Sequence, residues 1–208
     1  MRISRAALSA AFAAALAAAP ASADAAILAP DRACYGPGES ILLEGTGFTP
    51  NADVTLRSEG FRLATLGSDP DGAFTVRVEV PTFLGDADLR FSARDGVDRL
   101  LTGQTAVRTT SVGVEVFPAG GLPWRPRRIV ARGFMDVPAV YAHIRRRGSR
   151  HARNVFLGRP RGACGTLSVR KRLFGRGIRP GAYRLQFDAN PRYLAGIEPS
   201  VTYSVAVR

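Results

Sequence analysis

Apolar and polar residues alternate in short runs along most of this chain. Val76, Val78 and Val80 are interleaved with Thr75, Arg77 and Glu79, and Val112, Val114 and Val116 follow the same rule. Near the end, Val201, Tyr203, Val205 and Val207 alternate with Thr202, Ser204 and Ala206. A period of two sends one set of side chains to a buried face and the other to water, as in a half-buried antiparallel sheet. Gly, Pro, Asp and Asn separate the runs, and after residue 23 no window keeps the i, i+3, i+4, i+7 spacing of a helix. The expected fold class is all-β. Strands are expected at 26–31, 39–46, 53–58, 61–66, 73–80, 87–94 and 102–108, then at 111–117, 127–133, 139–145, 153–158, 164–171, 182–189 and 200–207. Two sets of seven short strands predict two Greek-key β-sandwiches.

The two sets read as copies of one unit. Gly47-Phe48 is followed by Val54, and Gly133-Phe134 is followed at the same distance by Val140. Pro37 and Pro123 stand at matching positions upstream. Downstream, Leu66-Gly67 and Asp71-Gly72-Ala73 align with Leu157-Gly158 and Arg161-Gly162-Ala163, and Leu89 to Ala93 aligns with Leu185 to Ala189. A repeat of this kind fixes architecture before individual residues do. It predicts one immunoglobulin-like domain at 25–109 and a second at 110–208. In each Gly-Phe pair the glycine permits a turn at a strand end and the phenylalanine plugs the edge of the sandwich.

The run Gly45-Thr46-Gly47-Phe48-Thr49-Pro50-Asn51-Ala52-Asp53-Val54, with Asp69-Pro70-Asp71-Gly72-Ala73-Phe74, resembles the bacterial immunoglobulin-like domains of secreted and surface proteins, including the IPT/TIG-like type. The resemblance covers most of the first unit. The second departs from it, with Asp136-Val137-Pro138 for Thr49-Pro50-Asn51 and Arg161-Gly162-Ala163-Cys164-Gly165 for the Asp-Gly turn. The resemblance implies a spacer, an adhesion module or a carbohydrate-binding accessory rather than an enzyme.

The first residues carry an address. Met1 to Arg5 is basic, Ala6 to Ala19 is an apolar run short for a bilayer, and Pro20-Ala21-Ser22-Ala23 offers a small-residue cleavage site. We read residues 1–23 as a signal peptide cut after Ala23, with a membrane anchor as the alternative. The mature chain then has no transmembrane segment or covalent anchor, and is expected to be extracellular or periplasmic.

Charge is divided unevenly between the halves. Residues 25–109 hold 8 arginines against 12 carboxylates, whereas residues 110–208 hold 19 basic residues against Glu115, Asp136, Asp188 and Glu198. An asymmetry of that size points to an anionic partner for the second half. If successive strands reverse direction, three basic loops fall at the pole away from the first domain. They supply Arg125, Arg127 and Arg128; then Arg145, Arg146, Arg147, Arg150 and Arg153; then Arg170, Lys171, Arg172, Arg176 and Arg179. Guanidinium forks suit phosphate, sulfate or carboxylate, and Trp124 and His151 add stacking surface. A cell-envelope polymer, an acidic polysaccharide or extracellular DNA all qualify, but no recognition helix, RNA-binding aromatic pair or zinc knuckle supports specific nucleic-acid readout. The competing interpretation is an arginine-biased surface, since Lys171 is the only lysine. The protein is then a structural or protein–protein adhesion module.

Cys34 and Cys164 fall one in each half. The same alternation of direction brings both to the junction, predicting an inter-domain disulfide, with two reduced thiols as the alternative. Candidate chemistry is sparse. Cys164 with His143 lacks protease-like surroundings, and two histidines cannot build a His-rich zinc site. Asp69, Asp71, Asp86 and Asp88 are possible calcium ligands, yet Asp-Pro-Asp-Gly is ordinary turn composition. No cofactor is expected. Alternation in Val140 to Ile144 puts His143 beside Tyr141 on the solvent face of its strand, and Asp188 is expected to be exposed or to cap a turn.

Overall fold

The computed structural model describes residues 25–82, 85–118 and 122–207; the expected leader lies outside them. The described residues form strands without helices. In the N-terminal half, β1 (Ile27–Pro30), β3 (Ser40–Thr46) and β6 (Phe74–Glu79) make a three-stranded sheet. Against it lies the sheet β2-β8-β7-β4-β5, from β2 (Cys34–Tyr35), β4 (Asp53–Ser58), β5 (Phe61–Gly67), β7 (Ala87–Asp95) and β8 (Thr102–Thr109). In the C-terminal half, β9 (Gly113–Phe117), β10 (Arg127–Arg132) and β13 (Leu167–Lys171) form the order β13-β10-β9. Facing it, β11 (Val140–Arg146), β12 (Ala152–Gly158), β14 (Gly181–Asp188) and β15 (Ser200–Val207) form the order β12-β11-β14-β15. Each half is an immunoglobulin-like β-sandwich with its own core. One core contains Ile41, Leu43, Phe48, Val54 and Leu56, the other Ile129, Phe134, Val140, Leu157 and Phe187.

The alternating runs form the expected strands, with two differences. The strand expected from 164 begins at Leu167, because an Arg161–Thr166 bridge and a Gly165 N–H to Gly162 carbonyl bond of 3.0 Å close a tight turn first. The unforeseen strand is β2. It leaves the sheet of β1 and pairs in parallel with β8, Cys34 opposite Arg108 and Tyr35 opposite Thr109. Two residues are too few to display a period.

The Gly-Phe pairs have the expected mechanical role. Phe48 and Phe134 are buried, Gly47 and Gly133 have φ of 78° and 75°, and a Cβ on Gly133 would stand 2.6 Å from the Ser111 carbonyl oxygen. The internal alignment needs correction beyond this anchor. Gly72 accepts a bond from the Phe48 N–H at 3.0 Å, and the residue that does so for Phe134 is Gly165, at 3.2 Å, not Gly162. The second turn is two residues longer, running over 159–166 where the first runs over 68–73, and a shared motif does not reveal that. Strand register corrects the other pairing. Two residues beyond the valine anchors, Leu56 faces Ala93 and Ala142 faces Phe187. Phe187 thus takes the place of Ala93, and a large–small contact has become a small–large one. All four side chains are fully buried, so the exchange keeps the volume of the layer while reversing which strand supplies the bulk.

The two sandwiches are joined by a Cys34–Cys164 disulfide, with Cα atoms 5.3 Å apart across 130 residues of sequence. Asp86 adds a polar clamp. Its Oδ1 accepts a bond from the Thr110 hydroxyl at 2.8 Å, and its Oδ2 lies 2.8 Å from Arg132 Nε. Arg132 also reaches Glu115 at 2.9 Å. Beside Cys34, Tyr35 is fully buried and its hydroxyl donates to Asp31 Oδ1 at 2.5 Å. Burial, then the bond to Asp31, pushes the Tyr35 phenol up to about 12. The same bond leads the effects that hold the Asp31 carboxyl below its ordinary value.

Gly72 and Gly165 should tolerate no side chain. A Cβ would come within 2.1 Å of the Phe48 oxygen and 2.0 Å of the Phe134 oxygen, at φ of 73° and 56°. Gly72→Ala and Gly165→Ala should each lose about 2–4 kcal/mol in denaturant unfolding. Gly148→Ala has φ of 80° but open space around it, so it should lose only the conformational part, about 1 kcal/mol. Tyr35 gives a pH prediction. Its raised pKa means its stabilisation is complete below about pH 10, where an unfolded tyrosine begins to ionise. It is lost as pH rises towards about 12. Absorbance titration at alkaline pH should show a late tyrosine step near pH 12, and Tyr35→Phe should abolish it.

Candidate functional site

Cationic side chains gather at the end of the C-terminal sandwich opposite the disulfide. Register fixes this end. Arg127 opposes Lys171 where β10 starts and β13 stops, while Arg145 opposes Ala152 and Arg146 opposes Tyr183 where β11 stops and β12 and β14 start. The loops at 147–151 and 172–180 meet there. Arg146 Nη2 donates to the Pro180 carbonyl at 3.2 Å, and Arg153 Nη1 lies 3.6 Å from the Cβ position of Gly175. Between them is a groove of about 330 Å³ with an apolar floor of Leu173, Phe174 and Ile178 and a rim of Arg146, His151 and Arg153. Arg147, Arg150, Arg172 and Arg176 are exposed around it.

The remaining candidates separate by position. Arg125 is exposed in the turn before β10. Arg128 and Arg170 oppose each other across β10 and β13, on the outer face of the three-stranded sheet rather than at the tip. They border a groove of about 480 Å³ with Phe117 and Pro126. Lys171 stands over the Phe156 ring, 5.8 Å from its centroid. Arg127 must be removed from the solvent-facing set. It shares the inward parity of Ile129 and is 9% exposed, and its guanidinium donates to the carbonyls of Pro118 and Leu122, closing its own loop. Trp124 is half-buried in that loop, and His151 is exposed, its N–H donating to Ser149 Oγ.

His143 is a second correction. It does share the outer face of β11 with Tyr141, but it is fully buried. The segment after β14 folds back over it. Nδ1 lies 2.8 Å from Asn154 Oδ1, and Nε2 lies 3.0 Å from both Asp188 Oδ1 and the Asn190 carbonyl oxygen. Asp188 is likewise buried; it caps the following turn by accepting from the Asn190 N–H at 2.8 Å, and it accepts from Gln186 Nε2 at 2.6 Å. Gln186 also donates to the Leu194 carbonyl at 2.7 Å, and Asn154 to that of Pro191 at 3.1 Å. These bonds seat Tyr193 edge-on to His143, with ring centroids 6.0 Å apart, and the Arg145 guanidinium lies 4.8 Å from the Tyr193 centroid. Alternation could not reveal this cover, because the covering loop comes from nearly fifty residues downstream.

Two of the carboxylates considered for calcium, Asp69 and Asp86, are engaged elsewhere. Asp69 Oδ1 accepts from the N–H groups of Asp71 and Ala73, and Asp86 belongs to the junction. Among the described residues no cluster of three or more His, Cys, Asp or Glu is placed to hold a metal ion.

No protein-family model matches the chain, and no curated protein matches it. Among solved structures it is similar to the human OSCAR ligand-binding domain, with a TM-score of 0.40 and 12% identity over 88% of this chain and 97% of that one. It is similar to a protein from Corynebacterium diphtheriae described as membrane anchored, with a TM-score of 0.40 and 10% identity over 89% of this chain and 57% of that one. The adhesin InvE of Yersinia pseudotuberculosis gives a TM-score of 0.36 and 13% identity over 87% of this chain and 58% of that one. The chain spans somewhat more than half the length of these two bacterial chains.

Removing the imidazole empties a fully buried site, takes a partner from the buried Asp188 carboxylate, and breaks the contacts to Asn154 Oδ1 and the Asn190 carbonyl. His143→Ala should therefore cost about 2–4 kcal/mol in chemical denaturation. Arg150→Ala, at an exposed site, should stay within about 0.5 kcal/mol of the parent.

Proposed function

We propose that the chain is a secreted, non-catalytic module of two tandem immunoglobulin-like domains, residues 25–109 and 110–208, following a signal peptide over residues 1–23. The first is a support of the IPT/TIG-like type. The second holds an anionic polymer or envelope surface with its arginine-rich end. The observation that carries this reading is the meeting of the loops at 147–151 and 172–180 at the end remote from the disulfide, with Arg146 and Arg153 on one rim. A disulfide fits an oxidising compartment outside the cytoplasm. Catalysis by Cys164 is set aside because its sulfur is bonded to Cys34, and His143 and Asp188 are enclosed.

A second reading, protein–protein adhesion, draws on Val97 and Leu100, 72% and 91% exposed in one loop of the N-terminal sandwich. The two readings separate in a salt series. The intact protein is tested against immobilised DNA, a sulfated glycan and a phosphate-rich polymer. Under the polyanion reading, binding weakens steeply with salt. The quadruple change of Arg146, Arg150, Arg153 and Arg176 to Ala should lower affinity about tenfold or more at low salt and flatten the salt slope. Weak binding that ignores both salt and the four substitutions would leave the adhesion reading.

A further inference from the structure

A row of side chains crosses the outer face of the four-stranded sheet. Ala152 on β12 opposes Arg145 on β11, Arg145 opposes Arg184 on β14, and Arg184 opposes Ser204 on β15. Two arginines thus stand directly opposite each other on neighbouring central strands. Like charges in that relation repel and lower the stability of a sheet. The adjoining row, Asn154, His143, Gln186 and Thr202, contains no carboxylate. Asp188, further along β14, is buried and occupied by His143, Gln186 and the Asn190 N–H. Among the described residues no acidic side chain is in ion-pair contact with Arg145, Arg147 or Arg184. Arg147 follows β11 and is tied to the same sheet through its N–H, which donates to the Ala182 carbonyl at 2.8 Å.

These three arginines and Ser204 line a groove of about 510 Å³. Arg145, Arg184 and Ser204 stand on strands, and Arg147 opens the turn directly after β11, so two of the three charges rest on the sheet itself. Arg145 is also half-buried and held against Tyr193, which restrains its guanidinium before any ligand arrives.

We propose that this sheet face is an oxyanion subsite for phosphate or sulfate ester groups, formed by Arg145, Arg147, Arg184 and Ser204. The inference rests on the polyanion reading and gives it an anchor that the loops alone lack. Guanidinium forks from adjacent strands hold the non-ester oxygens, and the Ser204 hydroxyl supplies one further donor. The bound anion offsets the repulsion between Arg145 and Arg184. An uncharged sugar or an apolar peptide has no such effect and is not the ligand of this groove.

The test uses the intact protein with two probes, inorganic tripolyphosphate and a sulfated oligosaccharide, and reads Kd by calorimetry at one low salt concentration. Charge-matched double variants are compared. R145A/R184A acts on the sheet face and R150A/R176A on the end loops. R57A/R62A removes another opposed arginine pair, from the acidic half. Because R145A/R184A relieves repulsion, its Tm should equal or exceed that of the parent. The expected result is a loss of about tenfold or more for R145A/R184A and about threefold or less for the other two. R184K, which keeps the charge without the fork, should recover only part of the affinity. A loss confined to one probe assigns the ester as phosphate or sulfate. Equal losses for R145A/R184A and R150A/R176A would overturn the subsite and leave the loop reading standing. A parent protein that binds neither probe would overturn both.

Discussion

The Cys34–Cys164 bond determines which surfaces of the C-terminal sandwich stay free. It lies where β2 runs beside β8 and where the turn before β13 comes back to the Gly-Phe pair. Around it, Asp86 holds Thr110 on one side and Arg132 on the other. That end of the second sandwich is occupied by covalent and ionic contacts to its neighbour. In a sandwich, alternate connections fall at opposite ends. Fixing one end therefore commits the loops at 147–151 and 172–180 to the other. A bond that bridges 130 residues also restricts the unfolded chain, by about 4–5 kcal/mol in the chain-entropy description.

Sheet geometry then governs the charges. The inner positions of the second sandwich build its apolar core, so most of its described basic residues go to outer faces and loops. Arg127 shows the exception: it turns inward and satisfies backbone carbonyls with its guanidinium. On the outer faces, strand register rather than loop conformation decides which charges meet. It sets Arg128 against Arg170 on one sheet and Arg145 against Arg184 on the other. Loop arginines can turn away from each other into water. Arginines on neighbouring central strands have their Cβ positions fixed about 4.5–5.5 Å apart, and only side-chain rotation is left to separate them.

The legible part of this fold was the part with a period. Alternating valines located the strands, and the reversal of direction along the chain brought Cys34 and Cys164 to one end. The Gly-Phe pairs were legible because a left-handed backbone position that favours glycine recurs at Gly47 and Gly133. The hidden part depends on residues distant in sequence or on lengths too short to repeat. β2 has two residues. Gly165 rather than Gly162 closes on Phe134 because the second turn is longer, and no motif records the length of a turn. His143 obeyed its strand parity but not the burial that parity normally implies. Of the candidate site, the loop arginines were visible as clusters, whereas Arg184 was not. It stands alone between Tyr183 and Leu185, and only pairing with β11 puts it opposite Arg145.

The enclosed network and the cationic row are mechanically one structure. His143 bonds to Asp188 and to the Asn190 carbonyl, and Asn154 bonds to that of Pro191, so the segment after β14 is pinned at successive residues. Gln186 extends the pinning to Leu194. Tyr193 lies between these anchors and has little freedom to leave the sheet. It contacts His143 with its edge and receives Arg145 on its face. Burying a polar cluster on the outside of a sheet costs desolvation that an apolar patch would avoid. What the arrangement provides is a fixed aromatic surface beside a row of like charges. The guanidinium of Arg145 is thereby held against the Tyr193 ring. Strand register keeps Arg145 and Arg184 on one face, and the polar network supports the ring that restrains the first of them.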